Sequence, residues 1–143
     1  MPQDRVEWSL LNDPVSRLAL PKALCYPFNT PISFVLEGMD REKTPAVCLT
    51  TKEGKLAGIL TEHDILEKVA PLGIHALELP VDQFMTSDPE WVAETEVLAR
   101  VVQIMDGAGY RHLPILRDQK PIGIISAGLL VTHFRNLCPD AVG

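Results

Sequence analysis

The 143-residue sequence predicts an α/β (α+β) fold in which two pseudo-symmetric copies of one β-α-β-β-α unit pack together. The first observation behind it is an internal repeat. Gly54-Lys55-Leu56-Ala57-Gly58-Ile59-Leu60-Thr61 and Gln119-Lys120-Pro121-Ile122-Gly123-Ile124-Ile125-Ser126 both read as a turn, an apolar strand with a central glycine, and a hydroxyl residue opening an apolar helix. The second is constant spacing. Gly58 and Gly123 lie 65 residues apart, as do Thr61 and Ser126, while Val35, Leu36 and Met39 precede Val101, Val102 and Met105 by 66. One residue of slack therefore falls in the turn before the last strand of each unit. The third is hydrophobic periodicity, which alternates between helical and strand-like stretches in the same order twice.

Residues 1–20 read as an N-terminal extension, helical around Trp8 to Leu11. The first repeat, 21–72, begins with an extended stretch near Leu24 to Phe28. Thr30 and Pro31 then signpost a helix, a hydroxyl cap with proline just inside it. Its apolar positions Ile32, Val35, Leu36 and Met39 recur at helical spacing. Ala46 to Leu49 and Leu56 to Leu60 are short apolar strands around the turn Lys52-Glu53-Gly54. Ile65, Leu66 and Val69 mark one face of a helix that Pro71 and Gly73 stop. Residues 73–80 form the linker. In the second repeat, 81–137, Trp91 to Ala93 is extended, and a helix through Val97, Val101 and Met105 ends at Gly107 and Gly109. Leu113 to Leu116 and Ile122 to Ile125 are strands, and Gly128 to Asn136 is the last helix. Residues 138–143 are a tail.

Composition narrows the function. With 46% hydrophobic and 22% charged residues the chain is ordinary globular protein. Its net charge of −6 and lack of a Lys/Arg run exclude nucleic acid as the main partner, because duplex binding needs a dense basic patch. No apolar run approaches the roughly 20 residues that span a bilayer, so no membrane partner is expected. Met-Pro-Gln-Asp-Arg is no secretory signal. The three cysteines, Cys25, Cys48 and Cys138, are odd in number and widely spaced, offering neither a disulfide framework nor a CxxC knuckle. A cytoplasmic location follows as the expectation. A serine elbow, a P-loop, a dinucleotide fingerprint and zinc-like ligand spacing are all missing, which points away from an enzyme, a metal site and a cofactor. Glu62-His63-Asp64 does not change this, since adjacent helical residues point in different directions.

Thr61 and Asp64 form the best candidate site. Thr61 ends a strand and opens a helix, so its hydroxyl and the free N–H groups behind it suit a phosphate. Asp64, one turn on, offers an acceptor pair for ribose hydroxyls. The same Thr-x-x-Asp pattern is also a capping box that stabilises by about 0.5–2 kcal/mol without any ligand. In the second repeat Ser126 keeps the hydroxyl, but Leu129 replaces the acid, so the first repeat is expected to bind better. Arg111 brings a planar fork suited to phosphate, and His112 a pH-dependent donor. The matching place in the first repeat, Pro45-Ala46, is uncharged.

Gly109-Tyr110-Arg111-His112-Leu113-Pro114-Ile115 followed by Ile122-Gly123-Ile124-Ile125-Ser126 resembles the core signature of a cystathionine-beta-synthase (CBS) domain. Phe84-Met85-Thr86-Ser87-Asp88-Pro89 resembles the segment leading into it, and Gly58 to Leu66 its strand-to-helix turn. The resemblance covers residues 21 to 136 and its pieces occur twice in order, like a Bateman module. It implies two clefts that hold adenosine nucleotides (AMP, ADP, ATP) or S-adenosylmethionine as regulatory ligands. Thr61, Asp64, Arg111, His112, Ala46, Val47, Phe28 and Ser126 are the ligand-binding set it implies. It further implies a stand-alone ligand sensor signalling to a separate effector protein, and a homodimer formed through the apolar last helices. A ligand-free interaction or assembly module is the alternative.

Overall fold

In the computed structural model, which describes residues 5–138, each repeat builds its own sheet and backs it with helices. Residues 1–4 of the expected extension and 139–143 of the expected tail lie outside the described residues. The chain opens with α1 (Arg5–Asn12) and a 3-10 turn at Val15–Arg17. The first repeat follows as β1 (Cys25–Pro27), α2 (Ile32–Glu42), β2 (Ala46–Thr50), β3 (Leu56–Thr61) and α3 (Glu62–Asp64), which a π turn prolongs over Ile65–Val69. After 3-10 turns at Ala70–Ala76 and Val81–Gln83 come β4 (Thr86–Ser87), β5 (Val92–Ala93), α4 (Leu98–Ala108), β6 (His112–Arg117), β7 (Lys120–Ser126) and α5 (Ala127–Leu137).

The two repeats match in detail. In each, a parallel pair comes first, β1 with β2 and β5 with β6, and an antiparallel hairpin follows. Both hairpins carry a register shift at equivalent places, Leu49/Thr50 and Ile115/Leu116. α2 buries Ile32, Val35 and Met39, and α4 buries Leu98, Val101 and Met105, the same helical stripe. Both helices end on a left-handed residue, Lys43 at φ 53° and Gly109 at φ 72°. The slack residue sits in the hairpins. Lys52-Glu53-Gly54 is a three-residue loop with Gly54 at φ 84°, whereas Asp118 (φ 51°) and Gln119 (φ 68°) make a two-residue turn of type I′ character.

Each sheet is completed by a segment at the start of the other repeat. β4 pairs with β3 through Ser87↔Gly58, and Lys22 pairs with β7 through a bridge to Gly123. The flanking bonds match too: Asp88 N–H donates to Ala57 O at 3.2 Å, and Ala23 N–H to Ile122 O at 3.4 Å. The central glycines permit this approach. A Cβ on Gly58 would collide with Met85 Sδ and lie 2.9 Å from Thr86 O, and one on Gly123 would lie 3.3 Å from Pro21 O. Upstream of these strands, Val81 and Phe84 enter the core of the first repeat, with Val47, Leu49 and Leu60. Val15 and Leu18 enter that of the second, with Leu113, Ile115 and Ile125. Residues 13–20, which the sequence placed in the extension, thus serve the second repeat as 79–86 serve the first. Ala46, Cys48 and Ile59 are buried but alternate with these core residues, so they occupy the opposite sheet face, between the repeats.

Two local expectations change. Thr30 does not cap α2; Pro31 holds the cap position without a side-chain bond. The orphan donors are met by the linker instead, Ile32 N–H donating to Leu79 O at 2.9 Å and Ser33 N–H to Leu77 O at 3.0 Å. The second helix of the first repeat winds as a π turn, with Ala70 N–H bonded to Ile65 O. Pro71 accounts for this, because its ring displaces the carbonyl four residues back and it has no N–H to continue the helix.

Gly58→Ala is expected to destabilise the fold by about 1–3 kcal/mol through overpacking against backbone. Gly107→Ala, in α4 with nothing within 4 Å, is expected to gain about 0.5–1 kcal/mol. Urea denaturation midpoints of the two variants check both.

Candidate functional site

β3 delivers Thr61 to the mouth of the molecule in extended conformation (φ −119°, ψ 167°), and α3 starts at the next residue. A reciprocal capping box forms there. Asp64 Oδ2 accepts from Thr61 N–H at 2.9 Å and from Thr61 Oγ1 at 3.1 Å, while Thr61 Oγ1 accepts from Asp64 N–H at 3.4 Å. Asp64 is 7% exposed, and Lys68 Nζ pairs with its Oδ1 at 3.0 Å. The same ammonium donates to Phe84 O at 3.1 Å, which ties the helix to the lead-in of the second repeat. A carboxylate offers about four lone-pair sites, of which these bonds use three.

Arg111 and His112 arrive from the other repeat, where Gly109 ends α4 in left-handed conformation and turns the chain into β6. The fold brings Thr61, Asp64, Arg111 and His112 into one cavity of about 400 Å³, closed by Ile59, Thr86, Glu90 and Tyr110. Arg111 is exposed and takes part in none of the ion pairs among the described residues. His112 is half-buried, and desolvation holds its pKa below the usual histidine value. Glu62 opposes that shift and Arg111 reinforces it. Its surroundings therefore favour the neutral imidazole.

A smaller sister cavity of about 160 Å³ occupies the pseudo-symmetric position. It is lined by Ser126, Leu129, Lys22, Thr44 and Ala46, and it shares His112 with the larger one. Ser126 Oγ accepts from Leu129 N–H at 3.1 Å, a cap without the returning acid.

Two of the residues singled out in the sequence fall outside both cavities. Val47 is fully buried in the core of the first repeat, because strand alternation turns it away from the face that carries Ala46. Phe28 follows β1, its N–H bonded to Thr50 O at 3.0 Å, at the end of β2 remote from the Ala46↔Thr61 pair. It lines a separate depression with Asn29, Thr51 and Lys52. Thr86, Glu90, Tyr110 and Ile59 were missed. Tyr110 and Thr86 stand in the motifs quoted above, but their place in the cleft depends on β4 pairing with β3.

The model of the CBS domain matches the chain twice, over residues 15–71 and 81–135. The chain belongs to the CBS-domain family. This CBS pair is similar to the CBS domain-containing protein CBSCBSPB5 of Arabidopsis thaliana, with 32% identity over 111 residues, 78% of the pair and 20% of that protein. The matched stretch thus spans about a fifth of the length of CBSCBSPB5 and the similar Arabidopsis proteins CBSCBSPB4 and CBSCBSPB1. Its fold is shared with the CBS domain pair of protein MJ0100 in complex with methylthioadenosine and S-adenosyl-L-methionine. That match has TM-score 0.74 and 20% identity, and covers 86% of this chain and 96% of the other. CBSX2 in complex with AMP matches with TM-score 0.70 and 20% identity, over 87% and 97%. Among the described residues of the pair, no helix is long and apolar enough to cross a membrane.

The lowered pKa of His112 sets a pH dependence. The unfolded chain binds a proton more readily than the folded one, so the neutral ring stabilises the fold fully above pH about 6.5. That contribution is lost as pH falls through the lower folded-state value. Denaturation midpoints measured against pH are expected to fall less steeply below that pH in His112→Gln than in the parent CBS pair.

Proposed function

We propose that this CBS pair is a regulatory, non-catalytic module that senses an adenosyl compound in the Thr61–Asp64 cleft. The observation that carries the reading is the joining of groups from both repeats in one cavity: an acceptor for a ribose diol at Asp64, a hydroxyl at Thr61, and a cationic fork at Arg111. A ligand spanning these groups bridges the two repeats, and its differential affinity for two arrangements of them is the signal. AMP, ADP, ATP and S-adenosylmethionine are the candidates, in keeping with the ligands named for CBSX2 and MJ0100. The output passes to an effector protein. The sister cleft, smaller and with Leu129 in place of the acid, is the weaker site.

One observation favours the second reading, a ligand-free interaction module. Thr61, Asp64 and Lys68 already satisfy one another, so the box serves as a cap without a ligand. Thermal shift separates the two. A nucleotide at 100 times its Kd stabilises by about 2.7 kcal/mol, and absence of any shift with all four compounds at millimolar concentration supports the second reading. Under the first, Arg111→Gln leaves the ligand-free melting temperature unchanged and weakens nucleotide binding by about 10–100-fold, the loss of a charged hydrogen bond of about 1.5–3 kcal/mol. Asp64→Ala abolishes the shift, whereas Leu129→Ala retains most of it.

The pair is also proposed to dimerise. A groove of about 470 Å³ between α2 and the start of the next helix is lined by Leu36, Met39, Ile65 and Leu66, and Leu66 is 73% exposed. A second copy placed about a two-fold axis would cover this surface. Light scattering on the eluting protein is expected to give a dimer mass for the parent and a monomer mass for Leu66→Asp.

A further inference from the structure

The fold brings together two cysteines that stand far apart in the chain. Cys25 in β1 and Cys48 in β2 are directly registered partners of a parallel strand pair, held there by Cys48 N–H donating to Leu24 O at 2.9 Å. Registered neighbours carry their side chains on the same sheet face, about 4.8 Å apart along the hydrogen-bonding direction. That separation lies within the Cα range a disulfide requires. The partners differ in access, Cys25 being exposed and Cys48 buried. They differ in acidity as well. The Cys25 thiol donates to Ala23 O at 3.7 Å. The neighbouring Cys48 thiol lowers the Cys25 pKa; burial works against this and the Lys22 ammonium works with it. The Cys25 sulfur beside it, together with burial, pushes the Cys48 thiol strongly upward. An accessible thiol whose pKa is lowered thus neighbours, across the strand pair, a buried one whose pKa is raised, the division between an attacking and a resolving thiol.

We propose that Cys25 and Cys48 are a redox-modification site that closes reversibly to an intramolecular disulfide. The oxidant is a small-molecule disulfide of the oxidised-glutathione class. The Cys25 thiolate attacks one of its sulfurs, breaking that S–S bond, expelling one thiolate and leaving a mixed disulfide. Cys48 passes its proton to the expelled thiolate, and its sulfur attacks the Cys25 sulfur, releasing a second thiolate that takes up the proton Cys25 had lost to solvent. Two protein thiols are oxidised and one external disulfide is reduced to two thiols. The bond fastens an edge strand, since β1 lies at the end of the β1-β2-β3-β4 sheet. It also fixes one wall of the sister cleft, where Lys22 to Leu24 face Ala46. The chemistry needs no ligand in either cleft, so it stands or fails apart from the sensing function.

The test is equilibration of the full chain with oxidised glutathione, followed by thiol titration under denaturing conditions and peptide mapping by mass spectrometry. Free thiols are expected to fall from three to one, with the protein still monomeric on a non-reducing gel and the Cys25 and Cys48 peptides linked. Cys138→Ser is expected to lose both remaining thiols. In Cys25→Ser, an exposed position, Cys48 is expected to stay a free thiol. Three free thiols after equilibration, a glutathione adduct on Cys25 that never resolves, or a bond to Cys138 would each overturn the proposal.

Discussion

The two lead-in segments pair edge to edge with the last strands of the opposite repeats at Gly58 and Gly123, and most of the molecule is arranged around those pairings. A side chain at either glycine would meet the incoming backbone or its neighbours. With the glycines in place, the paired segments cover sheet edges that would otherwise present unpaired N–H and C=O groups. They also carry Val81 and Phe84 into one core and Val15 and Leu18 into the other. Each repeat therefore lacks part of its core and part of its sheet without the segment at the start of its partner. The exchange makes two small units, each with few residues to bury, into one larger structure.

The same pairings create the clefts. β4 runs antiparallel beside β3 with Thr86 opposite Ile59, so Thr86 and Glu90 close a cavity whose far side is the Gly109–His112 turn of the second repeat. The sister cavity is built identically from Lys22, Ser126 and the Thr44–Ala46 turn. Backbone symmetry is close, and side chains break it. Asp64 becomes Leu129, and Arg111-His112 stands where the first repeat has Pro45-Ala46. His112 lines both cavities, so the two are physically joined through one half-buried ring. The capping box and Lys68 hold the Thr61 turn in a fixed geometry. A turn fixed beforehand has less freedom to lose when a ligand arrives, so the cap and a ligand site are compatible uses of the same residues.

Much of this was legible in the residues. The spacing of Gly58 from Gly123 exposed the repeat, and the one-residue slack located the difference between a three-residue and a two-residue hairpin loop. Apolar periodicity placed α2, α4 and the strands, since a buried stripe at 3.6-residue spacing or an alternating face leaves a clear trace. The cap of α2 did not follow, because Thr30 was outcompeted by carbonyls of Leu77 and Leu79 that come from far along the chain. Local signals say that an N-terminus needs acceptors, not which ones arrive.

The sequence by itself determined that there are two β-α-β-β-α units, that Thr61 and Asp64 form a reciprocal turn, and that the second unit lacks the acid. These are local facts, set by neighbours within a few residues. Tertiary structure decided that Arg111 and His112 meet that turn, that Val47 and Phe28 do not, and that Cys25 lies beside Cys48. Each of those outcomes depends on which strands pair and in what register. Pairing is settled by burial over the whole chain, and a one-residue shift would turn every side chain to the other face.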